Sequence, residues 1–181
     1  MSSLNPVAQV AQQIFLGRTV KQNHALEHAT IVLLSRQFPD TRLAGVSFAA
    51  GFFVFGEVPP EAIVPTAEKA LQLLRTTAPE MAIHERCGTN LAVTGILTGM
   101  AALAVARMRR PFNSLNNVIL ASTAAIILAR PLGLTVQRYV TTRTPADSLA
   151  ITGLRTFNFL GTPAHFVSTD DPEAASPFAW S

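Results

Sequence analysis

The chain has 181 residues, of which 49% are hydrophobic and only 14% charged, with a formal net charge of +3. Soluble proteins carry about 25% charged residues, so the deficit points to lipid, and the length suits one compact domain or a small domain with membrane segments. Lysines and arginines are scattered without a basic stripe, which argues against nucleic-acid binding, and the single cysteine, Cys87, excludes an internal disulfide.

No basic n-region leads into an apolar run and a small-residue cleavage site, so no removable signal peptide is expected. Asn5-Pro6 reads as a helix start, and Val7, Val10, Ala11, Ile14 and Phe15 recur at helical spacing before Gly17. That short amphipathic helix either covers the domain core or lies on a bilayer surface. A second helix is predicted from Val20 to Gln37, stopped by Phe38-Pro39-Asp40. The helical period then gives way to β-rich sequence, and 42–48 and 51–58 read as a hairpin turning at Ala49-Ala50. Pro59-Pro60 ends it, and 61–77 returns to helix with Ile63, Ala67, Ala70, Leu71 and Leu74 inward. Pro65 interrupts the pattern, so the helix is expected to start properly only there. Met81-Ala82-Ile83-His84 is short and apolar and reads as a third strand.

Leu91 to Ala106 contains no charge, and an 18-residue helix at this place would cover roughly 27 Å, close to the hydrocarbon thickness of a bilayer. Thr89 or Asn90 is the expected cap, and Gly95-x-x-x-Gly99 would permit close helix approach. After the turn carrying Arg107, Arg109, Arg110 and Pro111, a second apolar stretch runs from Leu115 to Val136, interrupted by Arg130-Pro131. A two-span hairpin places both flanks on one side. Charge counts do not settle which, and the missing signal peptide favours the cytoplasm. Segments 148–159 and 165–169 read as two further strands, and 170–181 as a loose, acidic, Ala- and Pro-containing tail.

Chemistry concentrates in two motifs. On a helix, residues i, i+3 and i+4 share a face, so His24, Glu27 and His28 present two imidazoles and a carboxylate together. His84 and Cys87 form a second, His-x-x-Cys motif, and these motifs hold three of the four histidines and the only thiol. Imidazoles at i and i+4 suit zinc, and an adjacent carboxylate can act as general base for water activated there. The order His-x-x-Glu-His is that of the inverzincin peptidases, although these are larger and take a downstream glutamate as third ligand, for which this chain has no clear counterpart. The metal ligands read from the sequence are therefore His24, His28, His84 and Cys87, with Glu27 as candidate catalytic base. Four ligands would close a structural tetrahedron, whereas three would leave a position for catalysis, with Glu27 then either base or orienting partner. Haem is disfavoured, because two histidines one turn apart cannot easily flank a single iron. His165 stands alone and receives no role, and the glycines at 45, 51 and 56 read as hairpin punctuation.

The motifs Asn23-His24-Ala25-Leu26-Glu27-His28-Ala29-Thr30 and His84-x-x-Cys87-Gly88-Thr89-Asn90, followed by two apolar spans, resemble an uncharacterised family of small bacterial membrane proteins from cyanobacteria and Chloroflexus-like phototrophs. The similarity covers most of residues 18–170. It implies a membrane location and a bacterial source, and brings no established activity.

The resulting reading is α+β: an N-terminal helix over 1–20, an α-β-β-α-β part over 21–90, a transmembrane hairpin over 91–136 inserted before C-terminal strands over 137–169, and a tail over 170–181. Two functions fit. One is a zinc-dependent membrane hydrolase or peptidase; the other is a non-catalytic accessory or assembly subunit of a larger membrane complex, with a structural metal or none.

Overall fold

The computed structural model describes residues 17–85, 87–107 and 114–174. The expected N-terminal helix, most of the arginine turn and the end of the tail lie outside these residues. The chain divides into two units, Met1–Ile83 with Thr141–Ser181, and His84–Val140.

The first unit is organised on helix α1, Arg18–Gln37. Gly17 offers its carbonyl to Lys21 N–H at 3.1 Å, and the last turn closes through Phe38 N–H on Leu34 O at 2.8 Å. Pro39 cannot donate the next bond and disfavours helix at the residue before it, so α1 ends there. Its apolar face carries Ala25, Leu26, Ala29, Leu33 and Leu34 into the core. Strands β1 (Ala44–Phe48) and β2 (Gly51–Phe55) form the expected hairpin, with Val46 opposite Phe53. Helix α2 spans Pro60–Arg75 and buries Ile63, Ala67, Ala70, Leu71 and Leu74. Contrary to expectation, α2 begins with Pro60 at its first turn and runs through Pro65. Position 65 lies so near the start that its missing N–H deprives one carbonyl, that of the exposed Glu61, which water can reach.

Strands β3 (Ala150–Phe159) and β4 (Thr162–Asp170) complete an antiparallel sheet of order β1-β2-β4-β3. Phe52, Val54 and Val167 point from one sheet face into the core shared with the helices. The stretch Met81–His84 joins no strand. Pro79–Ala82 is a 3-10 helix that starts with proline, and Ile83 follows in extended conformation. Nor is the chain loose from position 170. Asp170 ends β4, and buried Asp171 accepts from Gln22 Nε2 at 2.8 Å and Ser148 Oγ at 2.6 Å, with the Arg18 guanidinium 3.7 Å away. Burial alone would raise the Asp171 pKa; the Ser148 and Gln22 hydrogen bonds, the Arg18 charge and the Ala174 backbone outweigh it and hold the carboxyl below the ordinary aspartate range.

The second unit consists of helix α3, Gly88–Ala106, and helix α4, Ser114–Val136, which continues into a π-helical turn, Gln137–Thr141. Both helices are long and apolar enough to cross a membrane. None of the residues of α3 is buried, and Leu91, Ile96, Met100 and Leu103 are more than half exposed. A soluble protein would hide such side chains in its core. The cap of α3 is Cys87, whose sulfur accepts from Thr89 N–H at 3.3 Å, rather than Thr89 or Asn90. Gly95 and Gly99 do not mediate helix approach, since a Cβ at either meets nothing within 4 Å. The close approach is at Gly133 of α4, where a Cβ would lie 2.2 Å from Asn90 Oδ1 and 3.2 Å from Asn90 Cα.

Candidate metal centre

Helical spacing brings His24, Glu27 and His28 together at the middle of α1, and the surrounding chain orients each. His24 Nδ1 lies 2.9 Å from the Thr141 carbonyl, and His28 Nδ1 lies 2.7 Å from the Ala82 carbonyl. A carbonyl can only accept, so each Nδ1 carries a proton and donates. Metal-binding histidines are commonly arranged in this way, one nitrogen held by an oxygen and the other left as donor to an ion. The rings meet edge to face with centroids 4.3 Å apart. His28 is buried and His24 half-buried.

Glu27 faces β1. Ser47 Oγ donates to Glu27 Oε2, and a Cβ on Gly45 would fall 2.3 Å from Glu27 Oε1, so the carboxylate occupies the space that the glycine leaves open. Glu27 is 5% exposed, and burial pushes its pKa up, against the opposing effects of the Ser47 hydrogen bond and the nearby His24 ring. Its neighbour Asn23, fully buried, donates through Nδ2 to Phe48 O at 2.8 Å and Ala49 O at 3.2 Å, and accepts from Thr169 Oγ1 at 2.8 Å. The helix face bearing the histidines is thereby fastened to both the hairpin turn and β4.

The His84 to Cys87 loop is ordered within the second unit by amides. Cys87 N–H donates to His84 O at 3.3 Å, Asn90 Nδ2 to Glu85 O at 2.7 Å, and His84 N–H to Gln137 Oε1 at 3.0 Å. Gln137 Nε2 returns to Asn90 Oδ1 at 2.8 Å, closing a polar knot in which Asn90 and Gln137 hold the loop from two helices. Cys87 is buried, with its sulfur at the amino end of α3. A thiolate is the form that binds a metal, and a helix N-terminal amide is a suitable donor to it.

In the first unit His24 and His28 offer two imidazoles, and in the second unit Cys87 offers a sulfur, donors of the kinds that hold a metal ion. His84 N–H and carbonyl help to order the loop that leads to Cys87. Ser47, Gly45, Asn90 and Gln137 were not assigned a role at the site from sequence. Gly45 reads as turn punctuation and Gln137 as the end of an apolar run, so only Asn90, inside the second motif, carried a signal.

Residues 19–154 match a family described as a domain of unknown function, DUF6391. The chain belongs to that family. An uncharacterised protein of the cyanobacterium Picosynechococcus is 32% identical over 160 residues, covering 82% of this chain and 78% of that protein. No solved structure matches. The family thus agrees with the resemblance read from the two motifs, and its matched region includes both of them and both apolar helices.

Proposed function

We propose that this member of the family is a membrane-anchored metal-binding protein in which His24, His28 and Cys87 hold a zinc-type cation, with α3 and α4 as the anchor. The supporting observation is the orientation of the two imidazoles: backbone carbonyls of Thr141 and Ala82 hold His24 and His28 through Nδ1, the kind of oxygen contact that fixes a metal-binding histidine. The chain path adds support. Ala82, whose carbonyl orients His28, precedes Cys87 by only five residues, a stretch that reaches at most roughly 17 Å. Nitrogen and thiolate donors together suit zinc better than magnesium or calcium.

Between the two functions that the sequence permits, the position of Glu27 favours the non-catalytic one. Its Oε2 accepts from Ser47 and the carboxylate is buried against β1 where Gly45 leaves room, which suits a group that fixes the helix face rather than one that shuttles protons. The reading is then an accessory subunit of a membrane assembly with a structural metal. Hydrolysis with Glu27 as base is the second reading, favoured by its place between the two histidines on one helix turn.

The test is metal analysis of the purified full chain with cobalt substitution. Stoichiometric zinc and a thiolate-to-cobalt absorption band are expected, with the band lost in Cys87→Ser and the metal lost in His28→Ala. His84→Ala should retain both, and its loss of the ion would make His84 a fourth ligand. Glu27→Gln separates the two functions: retained metal with abolished turnover would establish catalysis.

A further inference from the structure

The side of the sheet away from the helices is apolar. Strand alternation puts Phe48 of β1, Phe53 and Phe55 of β2, Phe166 of β4 and Phe157 and Phe159 of β3 on it. Phe53 is the hub, with ring centroids 4.8 Å from Phe166, 5.6 Å from Phe55, 6.0 Å from Phe48 and 6.3 Å from Phe157; Phe55 continues to Phe159 at 6.1 Å. Phe48, Phe157 and Phe159 are 45–59% exposed. A connected aromatic surface of this kind on a small domain marks an interaction site.

We propose that this face, led by the β3–β4 turn, docks into the interfacial layer of an anionic lipid bilayer. Three features select lipid. The turn itself consists of Leu160 and Gly161, both at positive φ, 52° and 86°, the geometry that usually takes Asn, Asp or Gly. Here its first residue is a leucine, 92% exposed, directly after Phe159. An apolar side chain in a strained, fully projecting position is poorly suited to water and well suited to insertion below headgroups.

Charge is the second feature. Arg155 lies on the aromatic face opposite Phe166, and exposed Arg42 immediately precedes the Leu43–Ala44 entry to β1. Among the described residues of the strands, the carboxylate that alternation places on this face is Asp170, at the other end of β4 from the tip; exposed Glu57, like Arg42, lies just beyond the β1–β2 ladder. Aromatic rings flanked by arginines match an anionic interface. The third feature is tethering: only residues 84–87 separate Ile83 from the apolar helix α3, so the unit remains within chain reach of any membrane that α3 enters.

The proposal rests on α3 and α4 spanning a membrane, and the test separates the two claims. In full-length protein with Trp180→Phe, which removes the natural tryptophan, Leu160→Trp is the reporter and Gln72→Trp, on the exposed side of α2, the control. Each is reconstituted into phosphatidylcholine vesicles, with and without phosphatidylglycerol, containing lipids brominated near the headgroup. Severalfold stronger quenching of the Leu160→Trp reporter than of the control is expected, increasing with phosphatidylglycerol and falling with salt. Phe159→Trp should behave alike and serves if the first variant misfolds. Equal quenching of reporter and control in protein that resists alkaline extraction overturns the docking and leaves the spans standing. Release by alkaline extraction overturns both. A blue-shifted reporter without bromolipid quenching, accompanied by cross-linked dimer, assigns the face to a second copy and overturns lipid docking.

Discussion

Replacing Gly45 by alanine should destabilise the protein, although strand propensity alone says the reverse. Removing glycine from a strand ordinarily gains about 0.5–1 kcal/mol, because glycine loses the most backbone freedom on folding. Here the added methyl would stand 2.3 Å from Glu27 Oε1, 2.6 Å from Cδ and 2.7 Å from Cγ, so the carboxylate must withdraw. A flexible acid on a surface would do so at little cost, but Glu27 is 5% exposed and held by Ser47. Withdrawal gives up a hydrogen bond to a charged group, worth about 1.5–3 kcal/mol, and leaves the net effect at about 1–2 kcal/mol of lost stability. Thermal unfolding in detergent should show a drop of roughly 2–8 °C for Gly45→Ala. In a Glu27→Ala background, where the space is empty, the same change should be neutral or stabilising. An equal shift in both backgrounds would refute the steric argument, and a rise in melting temperature in the wild-type background would show that propensity dominates.

Asp171 governs acid stability. Because its folded pKa is depressed, its contribution is complete above the ordinary aspartate range and is lost as pH falls through the lower folded value; Asp171→Asn should be less stable at neutral pH and flatter in an acid unfolding series. Asn23→Ala strands two hairpin carbonyls and the Thr169 hydroxyl and should cost about 2–3 kcal/mol in denaturant unfolding, a near-zero change arguing that water replaces the amide. Gly133→Leu should disrupt the α3–α4 pair and its Asn90 knot, visible as faster proteolysis of the hairpin, while Gly99→Ala should leave it unchanged. Metal should be released on acidification as the imidazoles protonate, and zinc content measured after dialysis over a pH series gives the midpoint.

The elements that declare themselves locally were legible before any coordinates. The apolar 3.6-residue period of α1, the β-rich alternation around Ala49-Ala50 and the two long apolar runs are properties of neighbouring residues, and the structure keeps all of them. The misreadings came where a short segment answers to distant partners. Met81–His84 is apolar enough for a strand, yet Pro79 favours a tight helical turn and the Ala82 carbonyl is taken by His28 from α1. Pro65 argues for a later helix start, yet packing of Ile63, Ala67 and Leu71 sustains the helix from Pro60. Gly95 and Gly99 carry the small-residue spacing, but the helix contact falls at Gly133.

The same division runs through the candidate centre. Sequence alone determined which side chains could donate to a metal and that two of them share a helix face, because donor chemistry belongs to the residue and i to i+4 spacing to the local helix. Only tertiary structure decided that backbone carbonyls of Thr141 and Ala82 hold the two imidazoles through Nδ1, and that Glu27 accepts from Ser47 in the space Gly45 leaves open. Such roles depend on which atoms meet after the chain closes over many tens of residues, and no local pattern encodes that closure.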